Sequence, residues 1–360
     1  MRIGIDARVL DRAITGTGRY LLNVLQELPN VDKQNEYYLF TNSDYSFDKS
    51  FFKVISLKLS VLPVKIYSPF WLNFVLPRLL KEYKIDLLFA PNILVPMVRL
   101  ENTKIVSVVH DVIPRVYEKY YPYLYRMYLS FFLPCSLKKS DKVITVSQHS
   151  KDDLLRIYNL DEKKIGIAYN TASNIFKPAY ILNLEKANFI SELNLPKKYL
   201  LYVGVVEKRK NVLGVLKILD ILNAKGSDLN LVLVGKPGYG FKNIETEMKR
   251  RTGVIRYFSF LDDQLLAYTY NNAFAFLFPS YYEGFGIPPL EAMQCGIPVL
   301  SSNTSALVEV VEKGGLMHDP EDYTAFANDI LKLENDQSFY NKMKYNALEQ
   351  AKKFNIKEFK

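Results

Sequence analysis

The feature that most constrains the fold is an alternation of short apolar runs with stretches of helical periodicity, and it occurs twice along the chain. The runs are rich in β-branched residues, which is typical of parallel strands buried on both faces. In the first half they cover 37–40, 85–90, 105–109, 143–146 and 165–168, after an opening run from Ile3 to Ile5. In the second half they cover 199–203, 231–234, 254–257, 274–278 and 298–301. The pattern predicts an α/β protein with two Rossmann-like domains.

Domain boundaries are expected where the alternation stops, because 360 residues are more than one hydrophobic core usually serves. Residues 176–196 lack strand periodicity. We therefore predict an N-terminal domain over 1–178, a linker over 179–195 and a C-terminal domain over 196–340. A C-terminal helix over 341–360 is predicted to pack back toward the N-terminal domain. Since open α/β sheets bind ligands at the carboxyl ends of their strands, the two domains are expected to face a central cleft.

Composition excludes several classes of protein. A hydrophobic content of 49% and a charged content of 24% are those of a globular chain and argue against disorder. No stretch approaches the roughly 18 uninterrupted apolar residues of a membrane span, and the start from Met1 to Asp6 lacks the apolar core of a signal peptide. Cys135 and Cys295 lie far apart and form no disulfide or metal pattern. We therefore predict a soluble, cytoplasmic protein.

The net charge of +9 is concentrated in the first half of the chain. Residues 1–178 hold 25 Lys and Arg against 17 Asp and Glu, whereas residues 179–360 hold 22 against 21. This bias suits an anionic partner such as lipid headgroups, a lipid diphosphate or nucleic acid, although ordinary solvated lysines explain it equally well. Trp71 and the aromatic residues of 120–128 lie in the same half. With the charge they favour peripheral contact with the inner face of an anionic membrane, although helix packing explains either aromatic segment alone.

The densest chemical signal lies in the segment 279–293, which reads PSYYEGFGIPPLEAM. A strand is predicted to end at Phe278, a glycine-containing loop follows, and a helix is predicted to start near Pro289. Glycines let backbone N–H groups approach a ligand, and a helix N-terminus favours anions such as a diphosphate. Glu283 and Glu291 add acceptors for hydroxyl groups. The combination indicates a nucleotide sugar, which carries both phosphates and hydroxyls.

Glu283 and Glu291, with seven residues between them, resemble the E-x7-E signature of the family 4 glycosyltransferases, which are retaining, metal-independent enzymes of GT-B fold. Further motifs of that family appear in order along nearly the whole chain. They are Asp6-Ala7-Arg8, Thr15-Gly16-Thr17-Gly18-Arg19-Tyr20, His110-Asp111-Val112-Ile113-Pro114, Val146-Ser147, Glu207-Lys208-Arg209-Lys210-Asn211 and Asp319-Pro320-Glu321-Asp322. Each motif is weak alone, but the ordered set is specific. The resemblance implies that the first domain binds the acceptor and the second the nucleotide sugar.

The resemblance also implies roles for individual residues. Those implied to bind the donor are Gly16, Gly18, Arg209, Lys210, Gly284, Phe285, Gly286, Ile287 and Glu291. Glu283 would contact hydroxyls of the donor sugar, Glu291 the ribose, and the backbone amides of 285–287 the sugar and phosphate. Arg209 and Lys210 would neutralise the diphosphate, whose charge grows as the glycosidic bond breaks. Because such a pair can replace a metal ion, we expect neither a metal nor any other cofactor.

In the first half, the resemblance implies that His110 contacts the donor sugar near the reacting carbon, through its 6-hydroxyl, and stabilises the transition state. Arg19 and Asp111 are placed on the acceptor side, where Asp111 either orients its loop or meets the acceptor. The chain departs from the family pattern at Val205, where relatives often have Arg, so phosphate binding would depend more on Arg209. It also departs at 169–172, which reads YNTA where relatives commonly have Asn-Gly-Val-Asp, and at Ser259, where the resemblance indicates glycine. The last two departures leave the identity of the nucleotide base open.

The motifs together predict a retaining hexosyltransferase that moves a sugar from a nucleoside diphosphate sugar to a hydroxyl of a glycan or lipid-linked glycan. Mannose from GDP-mannose is the first choice, since Asp6-Ala7-Arg8 and 110–114 look most like bacterial mannosyl- and rhamnosyltransferases of surface polysaccharide synthesis. The alternatives are a nucleotide-sugar epimerase of GT-B fold and a basic nucleic-acid-binding protein. Neither accounts for the ordered motifs, so no nucleic-acid partner is expected. NAD-dependent oxidation is disfavoured, because Gly16 and Gly18 lack the third glycine of a dinucleotide fingerprint.

Overall fold

The structure is a computed structural model that describes residues 1–11, 16–42, 47–57, 68–121, 123–179, 193–251 and 253–354. The chain divides into two compact units, Met1–Tyr169 and Asn170–Lys360. Each unit is built on one parallel β-sheet whose strands alternate with helices, as the sequence predicts. Among the described residues, no helix has both the length and the apolar character needed to cross a membrane.

The first unit holds seven described strands. They are β1 Arg2–Asp6, β2 Glu36–Thr41, β3 Phe52–Ser56, β4 Leu87–Ala90, β5 Lys104–Val109, β6 Lys142–Thr145 and β7 Ile165–Ile167. Their order in the sheet is β3-β2-β1-β4-β5-β6-β7. The α-helices between them are α1 Gly16–Val31, α2 Leu76–Glu82, α3 Ile113–Val116, α4 Tyr123–Lys139 and α5 Gln148–Tyr158. Shorter helical turns cover Ala7–Leu10, Trp71–Val75, Glu118–Tyr120 and Glu162–Lys164.

The second unit holds six described strands. They are β8 Tyr199–Val203, β9 Asn230–Val234, β10 Ile255–Phe258, β11 Ala275–Phe278, β12 Val299–Ser302 and β13 Leu316–His318, in the order β10-β9-β8-β11-β12-β13. The helices are α6 Val212–Ala224, α7 Phe241–Lys249, α8 Asp263–Asn271, α9 Ile287–Gln294, α10 Leu307–Val311, α11 Tyr323–Asn335 and α12 Gln337–Lys352. Every residue of the central strands β8 and β11 is buried, which is why they appear in the sequence as continuous apolar runs.

Two strands that the sequence analysis did not predict, β3 and β13, lie at the edges of their sheets. After the buried Phe52, the residues of β3 are exposed or half-buried. The three residues of β13 are all half-buried. An edge strand pairs on one side only and is less covered, so it lacks the continuous apolar run that marks a central strand.

Helix α1 is longer than its residue types suggest at both ends. Gly16 and Gly18 favour a loop, and Pro29 favours the end of a helix. In the structure the helix begins at Gly16 and continues to Val31. Pro29 lies in the last turn, so the hydrogen bond that it removes and the clash of its ring with the preceding turn affect only the end of the helix.

The boundary between the units falls after Tyr169, earlier than the predicted end of the first domain at 178. Phe176 accounts for the difference. Its side chain is 1% exposed and its ring meets that of Tyr270 edge-on, with 5.6 Å between centroids. Residues 170–178 therefore pack with the second unit. Of the predicted linker, residues 180–192 lie outside the described residues.

The C-terminal helix also begins earlier than predicted. It is α12, which starts at Gln337 because the Asp336 side chain accepts a hydrogen bond from the Phe339 N–H at 2.9 Å. Its buried face packs against α9 and α11 of the second unit. The packing of this helix toward the N-terminal domain stays a prediction. Residues 355–360 lie outside the described residues.

The prediction that Trp71 lies at a membrane-facing surface is wrong, and helix packing, the alternative, accounts for this residue. The side chain is 0% exposed and belongs to a core cluster of the first unit with Phe40 and Leu80. The Arg8 guanidinium lies 5.4 Å from the centroid of its ring. Trp71 therefore packs the core and contributes nothing to the surface.

Candidate active site

The segment with the strongest sequence signal follows β11 at the carboxyl end of the second sheet. Residues 279–286 form a loop, and α9 starts at Ile287, slightly before the predicted start at Pro289. Gly286 precedes the helix with φ = 111°, which other residues rarely adopt. A Cβ at Gly286 would also lie 2.8 Å from Leu307 Cδ2. Glycine at this position therefore lets the loop turn directly into the helix.

Glu283 lies in this loop and holds together a group of buried charges. Its Oε1 accepts hydrogen bonds from Ser280 Oγ at 2.8 Å, from Lys210 Nζ at 3.0 Å and from Arg209 Nη1 at 3.2 Å. Its backbone N–H donates to Ser305 Oγ at 2.9 Å. The residue is 9% exposed. These contacts hold the carboxylate in one orientation.

One oxygen of the Glu283 carboxylate is left for a ligand. Burial raises the pKa of Glu283, but Lys210, Arg209 and the Ser280 hydroxyl outweigh it and hold the pKa below its ordinary value. The side chain is therefore ionised at neutral pH. Among the described residues, no donor contacts Oε2, so this oxygen can accept a hydrogen bond from a ligand hydroxyl.

The two cations stand on the short helical turn that follows β8. Arg209 Nη2 donates to Glu207 Oε1 at 2.6 Å, in addition to the contact of Nη1 with Glu283. Lys210 Nζ lies 4.9 Å from the centroid of the Phe278 ring. The two cationic side chains are 9% and 10% exposed. Glu207, Arg209, Lys210 and Glu283, which we call the charge cluster, balance two positive charges with two negative ones.

Backbone donors at the start of α9 are the second feature of this loop. Pro288 and Pro289 have no N–H, and the Leu290 N–H donates to Gly286 O at 3.4 Å. In the part of the chain that the structure describes, no acceptor contacts the N–H of Gly286 or of Ile287. Because helix N-termini attract anions, these two groups can bind a phosphate oxygen.

Three further residues of the second unit that the sequence predicts for donor binding are buried, namely Gly284, Phe285 and Glu291. Gly284 is buried in the loop, and the Phe285 ring meets Phe354 edge-on at 5.5 Å, so the Phe285 side chain packs the core. Glu291 lies in α9, is 4% exposed, and its Oε2 accepts a hydrogen bond from the Tyr270 hydroxyl at 2.9 Å. Glu291 is therefore held in place by α8.

His110 directly follows β5, the strand predicted over 105–109, and lies at the carboxyl end of the first sheet. Its Nε2 lies 3.0 Å from Pro91 O. Because a carbonyl can only accept, Nε2 carries the proton of the neutral ring and Nδ1 is an acceptor. Burial lowers the pKa of His110 to about 4, and Tyr20 meets its ring edge-on at 4.9 Å. The imidazole is therefore neutral at physiological pH and can offer hydrogen bonding rather than charge.

The other predicted residues of the first unit lie in two places. Asp111 Oδ1 accepts a hydrogen bond from the Ile113 N–H at 3.1 Å, which orients the turn after His110. Gly16, Gly18 and Arg19 lie in the first turn of α1, where backbone N–H groups lack partners within the helix. The first unit thus holds His110 with Asp111, and the second unit joins Glu283 with Arg209 and Lys210.

Comparisons with known proteins cover both units. The family model described as Glycosyltransferase Family 4 matches residues 14–172, and the model described as Glycosyl transferases group 1 matches residues 184–350. O-antigen chain mannosyltransferase B of Escherichia coli is 30% identical over 98% of this chain and 96% of its own length. The chain belongs to the family 4 glycosyltransferases. A further relative of this glycosyltransferase is O-antigen chain mannosyltransferase RfbU of Salmonella typhimurium, 29% identical over 66% of this chain and 67% of its own length.

Solved structures resemble this glycosyltransferase over its whole length. Sucrose-phosphate synthase of Thermosynechococcus elongatus matches with a TM-score of 0.78 and 21% identity over 99% of this chain and 96% of its own. WaaG, a glycosyltransferase involved in lipopolysaccharide biosynthesis, matches with a TM-score of 0.75 and 17% identity over 98% and 95%. At such identities the likeness shows the fold alone. It confirms the GT-B fold that the motifs predict.

The enzyme class predicted from the motifs is confirmed, and neither the epimerase nor the nucleic-acid-binding alternative is favoured. Within the described ranges, no three His, Cys, Asp or Glu side chains converge where they could hold a metal ion. The expected independence of metals and cofactors stays a prediction, as do the roles of the individual site residues.

Three residues around Glu283 were not predicted. Glu207 begins the motif Glu207-Lys208-Arg209-Lys210-Asn211, and a carboxylate two residues before Arg209 is the signal that points to it. Ser280 lies three residues before Glu283 in the same loop. Ser305 follows a different strand, so only the fold brings it to Glu283. At the departure from the family, Val205 supplies no charge, and its carbonyl accepts a hydrogen bond from a tyrosine hydroxyl.

Proposed function

We propose that this glycosyltransferase transfers mannose from GDP-mannose, with retention of anomeric configuration, to a hydroxyl of a lipid-linked glycan. The choice of mannose rests on the relatives, two of which are named as O-antigen mannosyltransferases. The observation that carries the proposal is the charge cluster. There Glu283 has one oxygen bound by Lys210 and Arg209 and the other open to a hydroxyl.

In this proposal the second unit binds the donor through charge and backbone. Arg209 and Lys210 bind the diphosphate, together with the N–H groups of Gly286 and Ile287 at the start of α9. These contacts strengthen as the leaving group gains negative charge, so they favour the transition state over the bound donor. They supply the stabilisation that a metal ion supplies elsewhere. Glu283 Oε2 accepts a hydrogen bond from a hydroxyl of the sugar and orients its ring.

The proposed reaction is a front-face displacement. The bond between the sugar C1 and the diphosphate oxygen breaks, and the acceptor oxygen bonds to C1 on the same face. The departing phosphate oxygen takes the proton of the acceptor hydroxyl, so the products are GDP and the extended glycan. No carboxylate is needed as a covalent nucleophile. His110, neutral with Nδ1 as an acceptor, is assigned to the 6-hydroxyl of the sugar.

The donor is tested by thermal unfolding with a panel of nucleotides and nucleotide sugars, since a ligand that binds the folded state raises its midpoint. GDP and GDP-mannose should raise the midpoint more than the uridine and thymidine counterparts. The product formed with a mannose-terminated acceptor is then examined by NMR. Retention of the donor's configuration supports the proposal, whereas inversion, or selection of another nucleotide sugar, contradicts it.

A lipid-linked acceptor implies that the enzyme acts at a membrane. A lipid-linked glycan is held at a bilayer, and residues 1–178 hold 25 Lys and Arg against 17 Asp and Glu. We assign the enzyme to the inner face of an anionic membrane on these grounds. Arg126 is a poor candidate for the contact, because its guanidinium forms an ion pair with Glu118 at 2.9 Å and lies 5.6 Å from the centroid of the Tyr123 ring.

A further inference from the structure

Helix α4 carries large apolar side chains on its solvent side. Leu124, Met127 and Phe131 are 79%, 53% and 67% exposed, and Tyr123 beside them is 64% exposed. Their spacing of three and four residues places Leu124, Met127 and Phe131 on one face of the helix. We call these three residues the apolar stripe.

The opposite face of α4 already fills the core of the first unit. Leu133 and Leu137 are buried in one cluster with Val109, on β5, and Leu154, on α5. This buried face is the side through which α4 packs against the rest of the unit. The apolar stripe therefore adds nothing to the core, and a contiguous exposed apolar surface of this kind marks a contact site.

Cations continue the exposed face at the carboxyl end of α4. Lys138 lies two turns beyond Phe131 on the same face and is exposed, as is Lys139. Lys164 Nζ donates to Lys138 O at 3.1 Å, and Lys142 is exposed close by in the sequence. The exposed side of this helix thus carries apolar side chains and, toward its carboxyl end, lysines, and an anionic bilayer offers acyl chains and anionic headgroups that match the two parts.

A neighbouring helical segment adds a further exposed aromatic ring. Phe74, in the turn Trp71–Val75, is 66% exposed. The loop between β4 and β5 ties this segment to α4, because the Val95 N–H donates to Ser136 Oγ at 3.3 Å and the Met97 N–H donates to Asn73 Oδ1 at 2.8 Å. Phe74 and the apolar stripe are therefore carried by two elements fixed to the same loop.

We propose that the apolar stripe inserts into an anionic lipid bilayer, with the lysines at the carboxyl end of α4 against the headgroups. Each lysine near an anionic surface and each buried apolar side chain contributes separately, so the attraction is strong at low salt and partly lost at high salt. A second copy of the chain is a poorer occupant, because the stripe spans about 10 Å along the helix, too little for a stable interface. This inference rests on the proposed function, because the lipid-linked acceptor is what brings the enzyme to a membrane.

The test is cosedimentation of the full chain with vesicles of phosphatidylcholine, with and without phosphatidylglycerol. The variant Leu124→Ser/Phe131→Ser removes the centre of the stripe. The matched control, Val308→Ser/Tyr345→Ser, replaces two side chains that are 45% and 63% exposed in the second unit. Wild type and control should pellet with the anionic vesicles. The affinity of the stripe variant for these vesicles should be lower by a factor of about ten or more. Lys138→Ala/Lys139→Ala should weaken binding to anionic vesicles only, and mainly at low salt.

Sugar transfer to a water-soluble acceptor is measured on the same proteins, because the stripe is no part of the assigned site. Unchanged transfer in a stripe variant that no longer binds vesicles supports docking as a separate property. Vesicle binding by a wild type that transfers no sugar would refute the proposed function and leave the docking surface standing. Equal pelleting of wild type and stripe variant, or no pelleting of wild type with anionic vesicles at low salt, overturns the inference. A dimer that the stripe variant loses, with no vesicle binding, would overturn it in favour of self-association.

Discussion

Replacing Glu283 by glutamine tests the charge cluster directly. Glutamine keeps the size of the side chain and an acceptor for the Ser280 hydroxyl, but it removes the charge that Lys210 and Arg209 share. The cluster then carries an excess positive charge on side chains that are 9% and 10% exposed. Removing one partner of a buried ion pair costs about 3–5 kcal/mol. Because Glu207 still pairs with Arg209, we expect the free energy of unfolding to fall by about 3 kcal/mol, at the lower end of that range.

The same substitution should separate donor binding from transfer. Excess positive charge favours a diphosphate, so GDP should bind at least as tightly to Glu283→Gln as to wild type. GDP should also raise the unfolding midpoint of the variant by more than it raises that of wild type. Transfer should fall roughly 100-fold, because the charged acceptor for the sugar hydroxyl is lost. Calorimetric titration with GDP and the transfer rate measure the two effects. Glu321→Gln is the matched control, since Glu321 is an exposed carboxylate that accepts a hydrogen bond from Tyr281 at 3.2 Å.

The pH dependence of stability shows whether the charge of Glu283 causes the difference between wild type and Glu283→Gln. The pKa of Glu283 in the folded protein lies below its ordinary value of 4.5, so its contribution to stability is present above that pH. The contribution is lost as the pH falls through the lower pKa of the folded state. The difference in stability between wild type and Glu283→Gln should be full near neutral pH and disappear in acid. Equal stability of the two at neutral pH, or weaker GDP binding by the variant, would refute the reasoning.

Three further predictions concern the phosphates and His110. Arg209→Ala should weaken GDP binding about tenfold or more while leaving guanosine binding nearly unchanged, as competition titrations can measure; equal loss of both would remove Arg209 from the phosphates. Transfer should persist in excess EDTA, and a strict need for Mg²⁺ or Mn²⁺ would contradict the assigned stabilisation of the leaving group. Because burial lowers the pKa of His110 from 6.5 to about 4, the unfolded chain binds a proton in this range that the folded chain excludes, and stability falls as the pH is lowered across it. In His110→Asn the unfolding midpoint should change less over the same range, and identical slopes would argue against a buried neutral imidazole.

The central part of the fold could be predicted because burial imposes composition. Strands such as β8 and β11 are covered on both faces, and apolar side chains are the only ones that fit there. The edge strands β3 and β13 escaped prediction because most of their residues are exposed or half-buried, so no continuous apolar run marks them. Trp71 was misassigned for a related reason, since composition alone cannot tell an aromatic residue in the core from one at an interface.

The members of the site could be predicted, but their pairing could not. The motifs contain Arg209, Lys210 and Glu283, and Glu283 follows the two cations by more than seventy residues in the sequence. They meet because β8 and β11 are neighbours in the sheet, so the turn after one strand lies beside the loop after the other. Ser305 reaches Glu283 in the same way, since it follows β12 on the other side of β11. Strand order is a property of the whole fold, and no short segment encodes it.

That pairing changes how the cations act in the proposed function. From the sequence, Arg209 and Lys210 look like a positive site without counter-charges. Such a site would bind the diphosphate of the donor and that of the product GDP equally tightly. In the structure each already has a carboxylate, Glu207 or Glu283, within hydrogen-bond distance. A diphosphate therefore binds in competition with internal anions, and its departure restores contacts that the folded chain makes by itself. The net attraction is smaller than for two free cations. The internal ion pairs also compensate the buried charges before the donor binds and after GDP leaves. The empty site therefore carries no uncompensated buried charge between turnovers.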